Sequence, residues 1–322
     1  MRLRLDHLID PRLMQYADEA RAFRLRRSGA RGPRNWDELQ MVRAQRHPET
    51  VSVPPAAEEL AGDVPMRIIT PADALCGVLL DIHSGGFYMG AASDNDVRNR
   101  ALADRLGVAV VSVDYRLAPE HPWPAAPDDC ETVAKWLAES AEARFGTGRL
   151  VIGGVSAGAT LTMTTLLRLR DRGIDAFAGA VLQYGTFDLS AQTPAGRLIA
   201  DEYFLEAYVG GTSDRSVPDI SPIYAELAGL PKVLMVVGSC DVLLEDNLAM
   251  AGRLSAAGVD VDLRVYPESP HGFTLHPTAM AHAALDDIHG WIVDCLGQGS
   301  DLRSPASDQR ARAARNGGMS PT

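Results

Sequence analysis

From about residue 66 the chain alternates short apolar runs with longer segments of helical character. The runs are GVLLDIH (77–83), VAVVSVD (108–114), RLVIGG (149–154), GAVLQYG (179–185), KVLMVVG (232–238) and VDLRVY (261–266). Short, nearly continuous apolar stretches of this kind read as strands buried on both faces. Between them lie DVRNRALADRLG, DDCETVAKWLAESAEARF, GATLTMTTLLRLRDRG, NLAMAGRLSAAG and a long final helix near 277–296. Strand and helix in alternation predict an α/β fold, with a mostly parallel central sheet and helices on both of its faces.

Three intervals break this rhythm. Residues 1 to about 50 read as amphipathic helix interrupted by the Arg-rich stretch RLRRSGARGPR, and the connector HPETVSVPPAAEELAG follows. Residues 187–228 carry helical pieces but no strand. An insertion of that length at the strand ends commonly lies over a site as a lid. The stretch from residue 297 onward is polar and rich in Gly, Ser and Arg, the composition of a disordered tail. The expected division is therefore a helical cap segment over 1–55, a main domain over 56–296 with a cap insertion at about 187–228, and a tail over 297–322.

Composition narrows the function classes. At 322 residues the chain can bury one large core or two modest ones. Its formal net charge of -11 offers no basic field to a phosphate backbone, which argues against a nucleic-acid partner. The opening MRLRLDHLIDPRLMQYADEARAF breaks its apolar runs with charges, and no stretch is apolar for long enough to span a membrane. Cys76, Cys130, Cys240 and Cys295 lie far apart and form no C-x-x-C pair, which argues against a zinc site or a redox couple. Scattered thiols fit a reducing compartment, so a cytoplasmic location is expected.

The chemistry starts at GGVSAG (153–158), where Gly154, Val155, Ser156, Ala157 and Gly158 satisfy Gly-x-Ser-x-Gly. The pattern alone is weak in a chain with 29 glycines. Its context is stronger, because Ser156 follows a predicted strand and opens a predicted helix, as a nucleophile elbow requires. Side chains two positions either side of a serine in so cramped a turn would collide, and Gly154 and Gly158 remove them. A serine hydroxyl needs a base. Asp241 lies just past the strand KVLMVVG and His271 just past VDLRVY, so both fall at the carboxyl edge of the predicted sheet, where Ser156 also emerges. His276, His282 and His289 fall in the final helical region, where packing or exposed roles are expected. The stretch DIHSGGFYMG (81–90) follows another strand, and its adjacent Gly85 and Gly86, with the amide of Ala157, can form an oxyanion hole.

Together these pieces resemble the hormone-sensitive-lipase-like branch of the α/β-hydrolases, the bacterial esterase family marked by His-Gly-Gly-Gly. The resemblance covers about residues 66–296 and is carried by HSGGF (83–87), DYRLAPEHPWPAAPDD (114–129), GGVSAGA (153–159), SPIYAELAGLPKVLMVVGSCDVLLED (221–246) and HGF (271–273). The run Tyr-Arg-Leu-Ala-Pro-Glu is the most specific of these. The resemblance implies an α/β-hydrolase fold with a helical cap, Ser156 as nucleophile, His271 as general base and then acid, and Asp241 as the carboxylate that orients the imidazole. It implies an oxyanion hole at Gly85, Gly86 and Ala157, a small-molecule ester substrate with short to medium acyl chains, no metal or organic cofactor, and pairing of two copies through edge strands. Arg116 and Glu120 are expected to form a structural charge pair beside the site.

Three positions depart from the family pattern: Ser84 for the first glycine of the motif, Val155 for the usual Asp, and Gly185 where Pro commonly follows the Tyr. None touches the expected triad, so a shift in substrate rather than in mechanism is expected. The same triad serves amides, formamides, lactones and acyl transfer, and leaving-group chemistry is not written in it. A non-catalytic receptor on this fold, like the plant gibberellin receptors, lacks the catalytic histidine, and His271 argues against that reading here.

Overall fold

The computed structural model describes residues 4–27, 32–45, 52–72 and 75–297. Its sheet contains β1 (Ala57–Ala61), β2 (Val64–Ile69), β3 (Gly77–Ile82), β4 (Val108–Val113), β5 (Leu150–Val155), β6 (Phe177–Gln183), β7 (Lys232–Gly238) and β8 (Val261–Tyr266). The spatial order is β1-β2-β4-β3-β5-β6-β7-β8. From β4 to β8 all neighbours are parallel, while β2 runs antiparallel to β4 and to β1. The six predicted strands are all present, each within two residues of its expected start. The hairpin β1–β2 was not expected. Only Ala61 of β1 is buried, and two of its five residues are glutamates, so it carries no apolar run to read.

Helices cover both faces. They are α1 (Ala17–Arg26), α2 (Trp36–Ala44), α3 (Asp96–Leu106), α4 (Ala125–Phe145), α5 (Ala157–Asp171), α6 (Tyr203–Val209), α7 (Leu244–Ala256) and α8 (Ala279–Cys295). Successive strand residues point to opposite faces, and the core divides accordingly. Leu80, Ile152, Leu182 and Met235 pack on the side of α4, α5 and α7; Leu79, Val151, Val181 and Val236 pack on the side of α3 and α8. Each such fully buried aliphatic side chain contributes about 2 kcal/mol. Helix α5 is buried almost all round, and two of its threonines are satisfied by bonding back along the helix. Thr162 Oγ1 donates to the Gly158 carbonyl (2.8 Å) and Thr165 Oγ1 to that of Leu161 (2.7 Å).

The topology decides where a site can sit. From β3 the chain moves to β4 on one side and later to β5 on the other, so the strand order reverses there. Crevices of α/β sheets open at the carboxyl ends of such strands. The insertion at 187–228 holds a 3₁₀ turn at Gly196–Ile199, α6, and a second turn at Pro222–Tyr224, with no strand among the described residues. The N-terminal part forms short 3₁₀ turns at Leu5–Leu8 and Pro11–Tyr16 followed by α1 and α2, rather than one interrupted helix. Part of the Arg-rich break and nearly all of the expected tail lie outside the described residues.

Candidate active site

The link between β5 and α5 is one residue long. Ser156 has φ 55° and ψ −120°, a conformation that L-residues adopt only under constraint. Packing supplies the constraint. A Cβ on Gly154 would lie 2.2 Å from the Gly158 carbonyl oxygen, and one on Gly158 would lie 2.1 Å from that of Ile82. Both positions therefore admit glycine alone, and Gly158 brings the start of α5 directly against the end of β3. Ser156 is thrust out at the head of α5, where the helix's first amides and its positive dipole end face the same space.

The expected partners converge on it. Ser156 Oγ lies 2.9 Å from His271 Nε2, and His271 Nδ1 lies 3.1 Å from both carboxylate oxygens of Asp241. With the hydrogen on Nδ1, both contacts are satisfied at once: the ring donates to Asp241 and accepts from the serine hydroxyl. The Asp241 side chain is fully buried, while that of His271 is 38% exposed. The carboxylate also accepts from the Leu243 amide (2.9 Å), which orients it. Tyr184 packs edge-on against the His271 ring at 5.1 Å. Its hydroxyl bonds Thr274 Oγ1 (2.5 Å), which in turn donates to Gln183 Oε1 (2.8 Å). Burial pushes the Tyr184 phenol well above its ordinary range, so it stays protonated.

The loop after β3 turns back on itself. Gly85 and Gly86 have φ 127° and 60°, Phe87 follows at 63°, and the Gly85 carbonyl accepts from the Met89 amide (2.8 Å). A Cβ on Gly85 would fall 2.0 Å from the Met89 oxygen. Among the described residues, the amides of Gly85, Gly86 and Ala157 donate to no other group, so all three are free for a ligand oxygen. The His83 ring stacks on Tyr115 at 4.0 Å, and burial lowers its pKa, so it is a neutral packing element. From outside, Arg43 of α2 donates to the Tyr88 carbonyl (3.0 and 2.7 Å) and to that of Ala118 (2.7 Å), and it pairs with Glu120 at 2.6 Å. The expected pair Arg116–Glu120 does not form. Arg116 grips Asp129 of α4 (2.8 Å) instead, and Glu120 turns to the N-terminal segment. A carboxylate fully buried beside its own helix is the stronger partner for Arg116 than a half-exposed one on the same loop.

A family model described as an alpha/beta hydrolase fold matches residues 79–275. The chain is 34% identical over 231 residues to the carboxylic ester hydrolase LipN of Mycobacterium tuberculosis, a match covering 66% of this chain and 61% of that protein. It is 33% identical over 239 residues to an acetyl-hydrolase of Streptomyces hygroscopicus, covering 71% of this chain and 79% of that one. A solved hormone-sensitive lipase from a metagenome library superposes with a TM-score of 0.71 at 32% identity, over 89% of this chain and 99% of that one. The chain belongs to the α/β-hydrolase fold family, in its hormone-sensitive-lipase-like branch.

Within that family the three departures now have local explanations. Ser84 is tolerated because the left-handed backbone falls on Gly85 and Gly86, and position 84 needs only its carbonyl, which meets His83 Nδ1 at 2.7 Å. Val155 is 2% exposed and joins the apolar cluster beneath α3 and α8, so nothing there calls for a carboxylate. A Cβ on Gly185 would lie 2.6 Å from the Phe187 ring, and the Gly185 carbonyl accepts from Asn247 (2.9 Å). Arg43 and Tyr184 went unrecognised in the sequence. Arg43 has no motif around it, and Tyr184 is legible only as the Tyr of LQYG.

Proposed function

We propose that this α/β-hydrolase is a serine carboxylester hydrolase acting on short- to medium-chain acyl esters, acetyl among them, with Ser156, His271 and Asp241 as its triad. The observation that carries this reading is the unbroken contact from hydroxyl to imidazole to buried carboxylate, 2.9 and 3.1 Å long, built on a strained turn. The names of the ester-hydrolase relatives are in accord with it.

In the proposed cycle His271 Nε2 takes the Ser156 proton as Oγ attacks the ester carbonyl. The tetrahedral oxyanion is held by the amides of Gly85, Gly86 and Ala157, which are in place before the reaction and cost no reorganisation during it. The imidazolium, steadied by Asp241, gives its proton to the departing alcohol. Water, deprotonated by His271, then releases the acid. No step uses a metal or an organic cofactor.

Chain-length preference follows from the walls. A Cβ on Gly86 would sit 3.3 Å from the Tyr88 ring and 3.4 Å from Phe204 Cβ, so two aromatic residues stand beside the oxyanion site. Phe204 comes from α6, which supports a cap role for the insertion, with the N-terminal segment as the proposed second half of that cap. Two copies are proposed to pair through β8, which ends the sheet, and the four free cysteines fit a reducing cytoplasm.

Ser156→Ala should lower turnover of p-nitrophenyl butyrate by roughly 10⁴-fold or more and abolish labelling by a fluorophosphonate probe. Retained turnover in that variant would end the reading. A panel of esters, amides and lactones with competing alcohols separates hydrolysis from acyl transfer.

A further inference from the structure

Four residues, Pro267 to Pro270, link β8 to His271. The second of them, Glu268, has φ 55°, a left-handed conformation that suits glycine and strains any other residue. Its side chain reaches the N-terminal helix. Oε1 accepts from Arg21 (3.1 Å) and Oε2 from Arg24 (2.8 Å), partners 247 and 244 residues away in the chain. Three positions apart on α1, the two arginines share one helix face, so a single carboxylate spans both. They hold the Glu268 carboxyl below its ordinary range.

The same four residues are stitched on their other side to the loop that carries Asp241. The Glu268 amide donates to Ser239 Oγ (2.9 Å), and the Cys240 amide donates to the Ser269 carbonyl (3.0 Å). Helix α1 is itself seated on the far flank of the His271 loop. Its Glu19 accepts from the Ala279 amide (3.1 Å) at the start of α8, and its Phe23 ring meets His276 at 4.6 Å. The His271 loop is thus gripped between the Asp241 loop and a helix from the other end of the chain.

We infer that Glu268, clasped by Arg21 and Arg24, is a positioning residue that aligns His271 with Ser156 and couples seating of the N-terminal helix to turnover; this rests on the triad reading above. Partly exposed ion pairs add little to stability. A displacement of about 1 Å at the reacting groups, by contrast, costs up to about 100-fold in rate. The clasp therefore acts on rate far more than on folding.

The test compares Glu268→Gln, the double variant Arg21→Ala/Arg24→Ala, the triple combination, Glu268→Gly and Arg21→Lys/Arg24→Lys, with p-nitrophenyl butyrate at low and at high salt. Glu268→Gln and the double alanine variant should each lose about tenfold in kcat with KM held within about twofold, and the triple should be no worse than either. Glu268→Gly, which relieves the backbone, should lose as much as Glu268→Gln, whereas the lysine pair should recover part of the rate. Wild-type kcat should fall as salt screens the clasp, while Glu268→Gln, Glu268→Gly, the double alanine variant and the triple, which lack the charge pair, should not respond. Thermal midpoints report that each variant is folded. Variants within about twofold of wild type, or losses that add in the triple, overturn the inference. Failure of the triad reading looks different: wild type itself would then show no Ser156-dependent turnover or probe labelling.

Discussion

The turn that bears Ser156 and the loop that bears His271 meet at 2.9 Å, and they are held in opposite ways. The Ser156 turn is one residue between a strand and a helix, locked by backbone atoms around Gly154 and Gly158. The His271 loop is longer and more exposed. It is held by side chains from elsewhere: Asp241, Tyr184, Ser239 and the arginines of α1. Ser156, the proposed nucleophile, would gain from a turn with no freedom, since it must attack along one line. His271, the proposed base, is supported by an assembly of several weaker contacts.

The comparison can be broken from either side. Asp241→Asn replaces one carboxylate oxygen with an amide donor that no longer fixes the imidazole's hydrogen on Nδ1, and kcat should fall by about 10⁴-fold while the fold survives. Activity within tenfold of wild type would mean that the His271 loop is oriented without its carboxylate. On the other side, Gly158→Ala drives a methyl group into the Ile82 carbonyl, 2.1 Å away. It should cost about 3 kcal/mol of stability in a denaturant titration and about 100-fold in kcat. An unchanged midpoint would show that the elbow can yield.

Two smaller effects sharpen the contrast. Arg43→Ala leaves the Tyr88 and Ala118 carbonyls without their cation, which should lower stability by about 2 kcal/mol. The loop after β3 would then behave like the His271 loop, supported from α2 rather than by its own glycines alone. If the denaturation midpoint does not move, that support is dispensable. Asp246 of α7 accepts from the amides of Phe187 and Asp188 where the insertion begins. Burial pushes its carboxyl up to about 7 against the pull of those amides. The folded state thus keeps a proton that the unfolded chain releases near pH 4. The stabilisation is fully present below pH 4 and is lost as pH rises to about 7, on the order of a few kcal/mol. Asp246→Asn should therefore be more favourable relative to wild type at pH 8 than at pH 5, with the smallest effect on kcat. Equal differences at both pH values would contradict the raised carboxyl.

Legibility along the chain followed locality. The Ser156 elbow was readable because all of its requirements, a strand, two glycines and a helix, sit within a few residues. The inner strands β3 to β7 were readable because burial on both faces leaves long apolar runs; β8, expected to be buried like them, ends the sheet with its first four residues half-buried, and its apolar residues alternate with Asp262 and Arg264. The β1–β2 hairpin was not, since an edge strand such as AEELA buries only Ala61 and carries no apolar run. The assumed Arg116–Glu120 pair failed because nearness in sequence stood in for nearness in space; the true partners lie on α4 and α2.

The order of residues determined the alternating strands and helices, the strained serine and the kinds of groups that surround it, because each depends on backbone sterics and burial over a short span. Tertiary structure alone decided which arginine meets which carboxylate, that the helix over 17–26 braces the approach to His271, and that Asp246 is buried deeply enough to hold its proton. Those outcomes turn on distances between segments up to 247 residues apart, and no local pattern encodes a distance of that kind.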